Sequence, residues 1–134
     1  MKLSRTVNYA LQATLQLAKS DSAVPVPCSK LATEGEMPER FLLQILRNLV
    51  THGIPHSTRG VDGGYTLIRA PEEVSLLEVI EAIDGPLDSG SPIGKGLPKT
   101  SQNKLKQALK RVTADSRNQL EAIKLSHLLL PAKM

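Results

Sequence analysis

The chain has 134 residues, a formal net charge of +4 and 40% hydrophobic residues. This length suffices for one domain with a core, or for one domain with an appended helix. The core must be aliphatic, since the sequence holds one Phe, two Tyr and no Trp. A single cysteine excludes an intrachain disulfide framework and a four-cysteine metal site. No stretch resembles a signal peptide or a membrane span, so we expect a cytoplasmic protein.

Three helices are predicted in the first part of the chain. Ser4 or Thr6 can cap the first, whose apolar residues form one broad face. A short second helix is predicted over residues 28–34, with Gly35 closing it. The third helix begins at Pro38, since proline suits the first helical position. Only a brief turn joins the second and third helices, which predicts helix-turn-helix geometry.

The third helix has distinct inner and outer faces. Its apolar residues recur at spacings of three and four, which places them together on the inner side. These inner residues are Phe41, Leu42, Ile45, Leu46 and Leu49. The outer face is cationic and rich in hydrogen-bond donors, and it comprises Arg40, Leu43, Gln44, Arg47 and Thr51. Gly53 is expected to end the helix as a left-handed cap.

A short β-hairpin is expected directly after this helix. Residues 54–59 and 65–69 are β-compatible, and Asp62-Gly63 between them suits the positive φ of a tight turn. Arg59 lies near the tip. A cationic helix followed by such a hairpin is typical of the recognition helix and wing of a winged helix-turn-helix. A major groove admits one such helix, and a narrow minor groove attracts an inserted arginine.

The segment after the hairpin is acidic. Ser75 begins a fourth predicted helix that runs to Asp84, before Gly85 and Pro86 stop it. Residues 71–88 carry six acids and no base, whereas residues 89–134 carry nine bases and two acids. The inward residues of the fourth helix are predicted to be Leu76, Val79, Ile80 and Ile83.

A last helix is predicted over residues 101–126. Its apolar stripe is only one or two residues wide, which is typical of a seam where two helices pair. We therefore predict dimerisation through this helix. The expected division is a DNA-binding domain over 1–86, a linker over 87–100, and a dimerisation helix with a tail over 101–134. The candidate dimerisation residues are Leu105, Leu109, Val112, Leu120 and Ile123.

The order of these elements closely resembles the Rrf-two family of winged helix-turn-helix transcription regulators, of the iron-sulfur cluster regulator and cysteine-metabolism repressor type. The resemblance covers about residues 1–88. It implies a homodimer that binds near-palindromic DNA, with long C-terminal helices packed against the partner subunit. The matching motifs are LSRTVNYALQATLQLA, ERFLLQILRNL, STRGVDGGYTL and SLLEVIEAIDGPL.

The chain departs from the cluster-bearing members of that family. Those members place three cysteines in the loop before the long helix, whereas residues 88–100 hold none here. Asn8 stands near a position where some of them use an acidic residue. We therefore expect no iron-sulfur cluster and no other cofactor. Members often have Tyr and Glu where Phe41 and Leu43 stand, and the loss of a glutamate that accepts from cytosine predicts a different operator.

Nine residues are candidates for DNA contact. Arg59 matches the wing arginine of the family, with a solvated hairpin arginine as the alternative. Ser29 and Lys30 lie where helix amides favour phosphate. Tyr65 and Thr58 fit either phosphate contact or packing of the wing, and the polar residues of the third helix fit either base contact or ordinary surface. The set is Ser29, Lys30, Arg40, Gln44, Arg47, Thr58, Arg59, Gly60 and Tyr65.

Cys28 has two interpretations. At a helix N-terminus its thiolate would be favoured, which would make it a redox-responsive residue in the DNA-reading head. A small buried apolar residue is the simpler interpretation. No metal site is expected, because no pair among His52, His56 and His127 has convincing ligand spacing.

Together these patterns predict a mainly α-helical winged helix-turn-helix that regulates transcription as a DNA-binding homodimer, in the direction of repression. The alternatives are a winged-helix module for protein contacts and a redox-responsive regulator that uses Cys28. A small-molecule or redox effector is compatible with either regulator, and no membrane partner is expected. An enzyme is not expected, because the sequence shows no nucleophile elbow, Walker-type phosphate loop or acid-base constellation.

Overall fold

A computed structural model describes residues 2–20, 23–88 and 94–129. Within them, six helices and one hairpin form the mainly helical, winged architecture that the sequence predicts. No helix in these residues is long and apolar enough to cross a membrane. In chain order the elements are α1 (Arg5–Lys19), α2 (Cys28–Gly35), α3 (Glu39–Thr51), β1 (His56–Thr58), β2 (Gly64–Thr66), α4 (Leu76–Asp84), α5 (Lys99–Ala122) and α6 (Leu125–Leu128).

Two serines start helices by capping them. The Ser4 hydroxyl accepts a hydrogen bond from the Val7 amide at 3.1 Å, and the Ser75 hydroxyl accepts one from the Glu78 amide at 3.1 Å. Each hydroxyl satisfies an amide that the first helical turn leaves without a backbone partner. Ser4, rather than Thr6, is therefore the cap of α1.

The turn between α2 and α3 differs by one residue from the prediction at each end. α2 includes Gly35, and Glu36 after it takes a left-handed φ of 54°. A Cβ on Gly35 would lie 2.6 Å from Nε2 of Gln12, the end of a flexible side chain that would have to shift. Pro38 keeps an extended backbone with ψ of 122°, and α3 begins at the next residue.

The core lies where α1, α3 and α4 meet, and α3 contributes most of its largest side chains. Phe41 is an exception to the predicted inner face, because it is 52% exposed. At 100° per residue it lies roughly a quarter turn from the centre of the buried stripe, which leaves it at the edge. The inner residues that are at most 2% exposed are Leu42, Ile45, Leu46 and Leu49.

The last long helix ends earlier than residue 126. After α5 the backbone is extended, and the Leu76 amide donates to the Ile123 carbonyl at 2.9 Å. The Leu125 amide donates to the Val74 carbonyl at 2.9 Å. These bonds pair the chain with the segment that precedes α4, so the helix cannot continue through them.

This early end also changes the predicted dimerisation stripe. Leu120 is 6% exposed because it packs in its own chain against Val7, Leu77 and Ile80. Ile123 is half-buried and lies beyond the end of α5. Neither residue therefore belongs to an exposed pairing face. The exposed part of the stripe consists of Leu105, Leu109 and Val112.

Candidate nucleic-acid interface

The outward face of α3 carries three of the predicted contact residues. Arg40, Gln44 and Arg47 are all exposed on it. Thr51 is exposed too, but its hydroxyl donates to the Arg47 carbonyl at 2.9 Å. Asn48 is an exposed amide that the sequence analysis missed, although its spacing of four residues from Gln44 places it on the same face.

The arginines of this surface differ from two of the four arginines elsewhere in the chain. Arg69 pairs with Glu78, and Arg117 on α5 pairs with Glu81. In the described residues, no salt bridge engages the three arginines of α3 and the hairpin loop. Those guanidinium groups keep their donors for a ligand. The three are Arg40, Arg47 and Arg59.

The hairpin loop has the predicted length but not the predicted turn. Five residues, 59–63, join β1 to β2, and positive φ does not fall on Asp62-Gly63. The Gly63 amide instead donates to the Gly60 carbonyl at 3.0 Å. Positive φ falls on Gly60 (108°) and Gly64 (152°). Arg59 is the first residue of this loop, so it extends beyond the paired strands.

The base of the hairpin is attached to the helix-turn-helix. The amides and carbonyls of Val26 and Tyr65 exchange two hydrogen bonds of 2.9 Å, and Val26 stands just ahead of α2. A Cβ on Gly64 would lie 2.5 Å from the Val26 carbonyl carbon, so this approach requires glycine. The wing is therefore held in a fixed place beside α2.

Tyr65 joins the wing to the core and to α3. It is half-buried against the core, and burial, followed by the nearby Cys28, raises the pKa of its phenol, while Arg47 opposes the rise. The structure thus supports the packing role. Together with Ser57 and Thr51, Tyr65 and Arg47 line a crevice of about 340 Å³ between α3 and the wing.

The remaining candidates lie exposed around this surface. Ser29 and Lys30 stand in the first turn of α2, and Thr58 ends β1. The Lys30 Nζ is 4.0 Å from the Glu34 carboxylate, but both side chains are more than half exposed. Such a pair contributes little to stability. Lys30 is therefore able to exchange this partner for a phosphate.

Cys28 does not have the environment that a reactive thiol needs. It is half-buried at the start of α2, and its Sγ lies 3.7 Å from the Glu39 carbonyl oxygen. Burial and the Glu39 carboxylate both raise the pKa of the thiol. Desolvation and the neighbouring negative charge thus act against the thiolate that a helix N-terminus alone would favour.

A raised pKa means that less Cys28 thiolate exists near neutral pH than for an ordinary cysteine. We expect iodoacetamide to alkylate the native chain more slowly than the urea-denatured chain at pH 7.5. The native rate should rise through a midpoint above the ordinary thiol pKa. Mass spectrometry of quenched samples measures both rates. Faster native alkylation, with a midpoint below the ordinary value, would restore the redox interpretation.

Two of the three histidines take part in local backbone contacts. The Nδ1 atom of His52 lies 2.9 Å from the Asn48 carbonyl oxygen, and Nδ1 of His127 accepts from the Lys124 amide at 3.1 Å. Across residues 2–20, 23–88 and 94–129, no three His, Cys, Asp or Glu side chains are grouped as metal ligands would be.

Comparison with known proteins gives matches to one kind of protein, transcriptional regulators. The model of the Rrf2 family, described as an iron-dependent transcriptional regulator, matches residues 3–130. An HTH-type transcriptional regulator of Mycobacterium tuberculosis is 42% identical over 96 residues, which are 72% of this chain and 60% of that protein. The regulator IscR of Escherichia coli is 31% identical over 115 residues, 86% of this chain and 71% of that protein. The chain thus spans less than two thirds of the mycobacterial relative.

Solved structures share the fold over nearly the whole chain. A transcriptional regulator from Listeria innocua has a TM-score of 0.79 and 28% identity, covering 100% of this chain and 90% of that one. CymR, the global cysteine regulator of B. subtilis, has a TM-score of 0.77 and 23% identity, covering 96% and 95%. The family and these relatives are transcription regulators, not enzymes. The chain belongs to the Rrf2 family of transcriptional regulators.

Proposed function

We propose that this chain is a cytoplasmic repressor that binds near-palindromic operators in double-stranded DNA as a homodimer. The observation that carries the proposal is the group of arginines without salt bridges in the described chain, set on the outer face of α3 and at the wing tip. Phosphates attract such cations, and base edges accept hydrogen bonds from guanidinium and amide groups. The residues are Arg40, Gln44, Arg47 and Arg59.

Each part of this surface has a role that its position suggests. α3 enters the major groove, where Arg40 and Gln44 face base edges. Arg47 stands over the crevice beside the wing and contacts phosphate. Arg59 enters the flanking minor groove, where a narrow width strengthens the negative potential. The backbone contacts are completed by Ser29, Lys30, Thr58 and Gly60, while Tyr65 packs the wing.

The charge of the neighbouring segment supports the same orientation. Residues 71–88, which include α4, carry six acids and no base. A surface of that sign repels phosphates, whereas the α3 and wing surface attracts them. DNA therefore approaches α3 and the wing rather than α4.

The residues present do not fit an iron-sulfur cluster, although the family is described as iron-dependent. Clusters need several thiolates, and this sequence holds only Cys28. That thiol is half-buried in α2, where its pKa is raised. No cysteine lies in residues 88–100 ahead of α5. We propose that this chain responds to a signal other than a cluster.

We further propose that the exposed stripe of α5 pairs two copies and sets their α3 helices about 34 Å apart, one turn of DNA. In this arrangement residues 1–86 form the DNA-binding domain, residues 87–100 form the linker, and residues 101–134 form the dimerisation helix and tail.

Leu109→Glu should convert the dimer to monomer, since it places a charge in an apolar seam. Gln107→Glu adds the same charge on the opposite side of α5 and should remain dimeric. Sedimentation equilibrium distinguishes the two, and a dimeric Leu109→Glu variant would contradict the seam.

The decisive experiment for the function is titration of a fragment of the chain's own promoter, with competitor DNA present, at increasing salt. We expect a competitor-resistant complex whose affinity falls steeply with salt, because bound arginines and lysines release counterions from phosphate. A promoter fragment that binds no better than competitor, without dependence on salt, would refute DNA binding as the function.

A further inference from the structure

Phe41 is the only phenylalanine in the chain, and it stands on the surface of α3. It is 52% exposed, while the inner aliphatic side chains of the same helix are almost completely buried. The core therefore does not use this side chain. Single exposed apolar residues are common, so the position of Phe41, rather than its exposure alone, carries the inference.

The side chain lies among the residues of the proposed DNA-reading surface. Arg40 precedes it, and Gln44 follows three residues later, the spacing at which side chains meet on a helix. Both neighbours are exposed. Phe41 also belongs to the first turn of α3. In helix-turn-helix proteins, residues near the N-terminus of the recognition helix contact base edges.

One apolar group is available to Phe41 in that position. The 5-methyl group of thymine is the apolar feature that base pairs present in the major groove, and phenylalanine is among the side chains that contact it. Beside Phe41, the Gln44 amide matches the donor and acceptor of adenine. The two side chains together favour a thymine and an adenine near each other.

A protein partner fits this surface less well than DNA does. Cores of protein interfaces are depleted in charged residues and collect several apolar side chains. Phe41 instead shares its side of the helix with Gln44 and Asn48, three and seven residues further on, and both are exposed. Leu43, the other exposed apolar residue of α3, lies on the opposite flank because residues two apart do not face each other.

We propose that Phe41 is a specificity-determining residue that contacts the 5-methyl group of one thymine in each operator half-site. This assignment rests on the proposed function. It assigns one base, thymine, and one group of that base, the 5-methyl, to a surface whose other proposed contacts are hydrogen bonds and charge interactions.

The test uses the duplex that the purified full chain selects from a library with a randomised centre. Deoxyuridine replaces each thymine in turn, which removes only the methyl group. At one position in each half-site, we expect the unmodified chain to lose about fourfold in affinity per methyl. Phe41→Ala should bind the selected duplex more weakly and should lose nothing further at that position. Ile68→Ala, which changes another exposed apolar residue, should respond to deoxyuridine as the unmodified chain does.

The outcomes separate this assignment from the function on which it rests. If a duplex is selected but deoxyuridine weakens both the unmodified chain and Phe41→Ala equally, or weakens neither, the role of Phe41 is overturned while DNA binding stands. A Phe41→Ala variant with unchanged affinity has the same meaning and is the result expected of a protein-docking residue. If no sequence is enriched and binding is insensitive to salt, the proposed function itself fails.

Discussion

Replacing Arg59 with alanine should weaken operator binding by about 5- to 150-fold for each half-site. An arginine that contacts a base or enters a minor groove contributes roughly 1–3 kcal/mol. Arg59 extends from the wing loop and has no salt bridge in the described chain, so its loss leaves the fold intact and removes the contact. If the contact is to phosphate, the salt slope of the binding constant should also fall by about one per lost contact. Fluorescence anisotropy over a salt series measures both quantities.

Arg111→Ala is the matched control for that experiment. Arg111 is an exposed arginine on α5, away from the proposed reading surface, so its replacement removes the same charge. We expect the affinity of this variant to remain close to that of the unmodified chain. Equal losses in the two variants would indicate that Arg59 contributes only net charge, and the minor-groove role would have to be abandoned.

Leu46→Ala is expected to destabilise the chain by about 2–5 kcal/mol. Leu46 is fully buried in the core on the inner face of α3. Removing its isobutyl group loses apolar contact and leaves a cavity, because the packed neighbours relax only in part. This is a large fraction of the roughly 5–15 kcal/mol that stabilises an ordinary domain. Urea denaturation followed by circular dichroism gives the free energy of unfolding.

Leu43→Ala provides the comparison on the same helix. Leu43 is 36% exposed on the outer side of α3, so the same change should cost much less than Leu46→Ala. Both measurements need equal protein concentration, because a dimer's apparent stability depends on it. Similar losses for the two variants would mean that the inner and outer faces of α3 are wrongly assigned.

The features that the sequence predicts well are those set by local spacing. The apolar period of α3 identifies four of its buried residues, and Ser75 and Gly53 mark helix ends through their own hydroxyl and positive φ. The wing was also predictable, since two β-compatible runs with glycines between them follow the helix within a few residues. These signals act over one or two turns of chain and do not depend on distant contacts.

The features that the sequence predicts poorly depend on distant contacts. α5 stops early because Ile123 and Leu125 pair with the backbone ahead of α4, and Leu120 is buried by residues of α1 and α4. The base of the wing lies where Gly64 approaches the Val26 backbone, a contact between residues far apart in the sequence. For Cys28, the opposing effects are burial in the folded chain and the carboxylate of Glu39, which lies on the next helix.

The separation of faces on α3 has a consequence for how such regulators diverge. Residues that hold the fold, such as Leu42 and Leu46, are fully buried, whereas Phe41 and Gln44 are outside the core. If α3 reads DNA as proposed, a substitution at an exposed position of this helix changes its DNA contacts at little cost in stability. New operator preferences can therefore arise by single replacements on an unchanged scaffold. After gene duplication, one copy of such a regulator can come to bind different operators while its core residues stay the same.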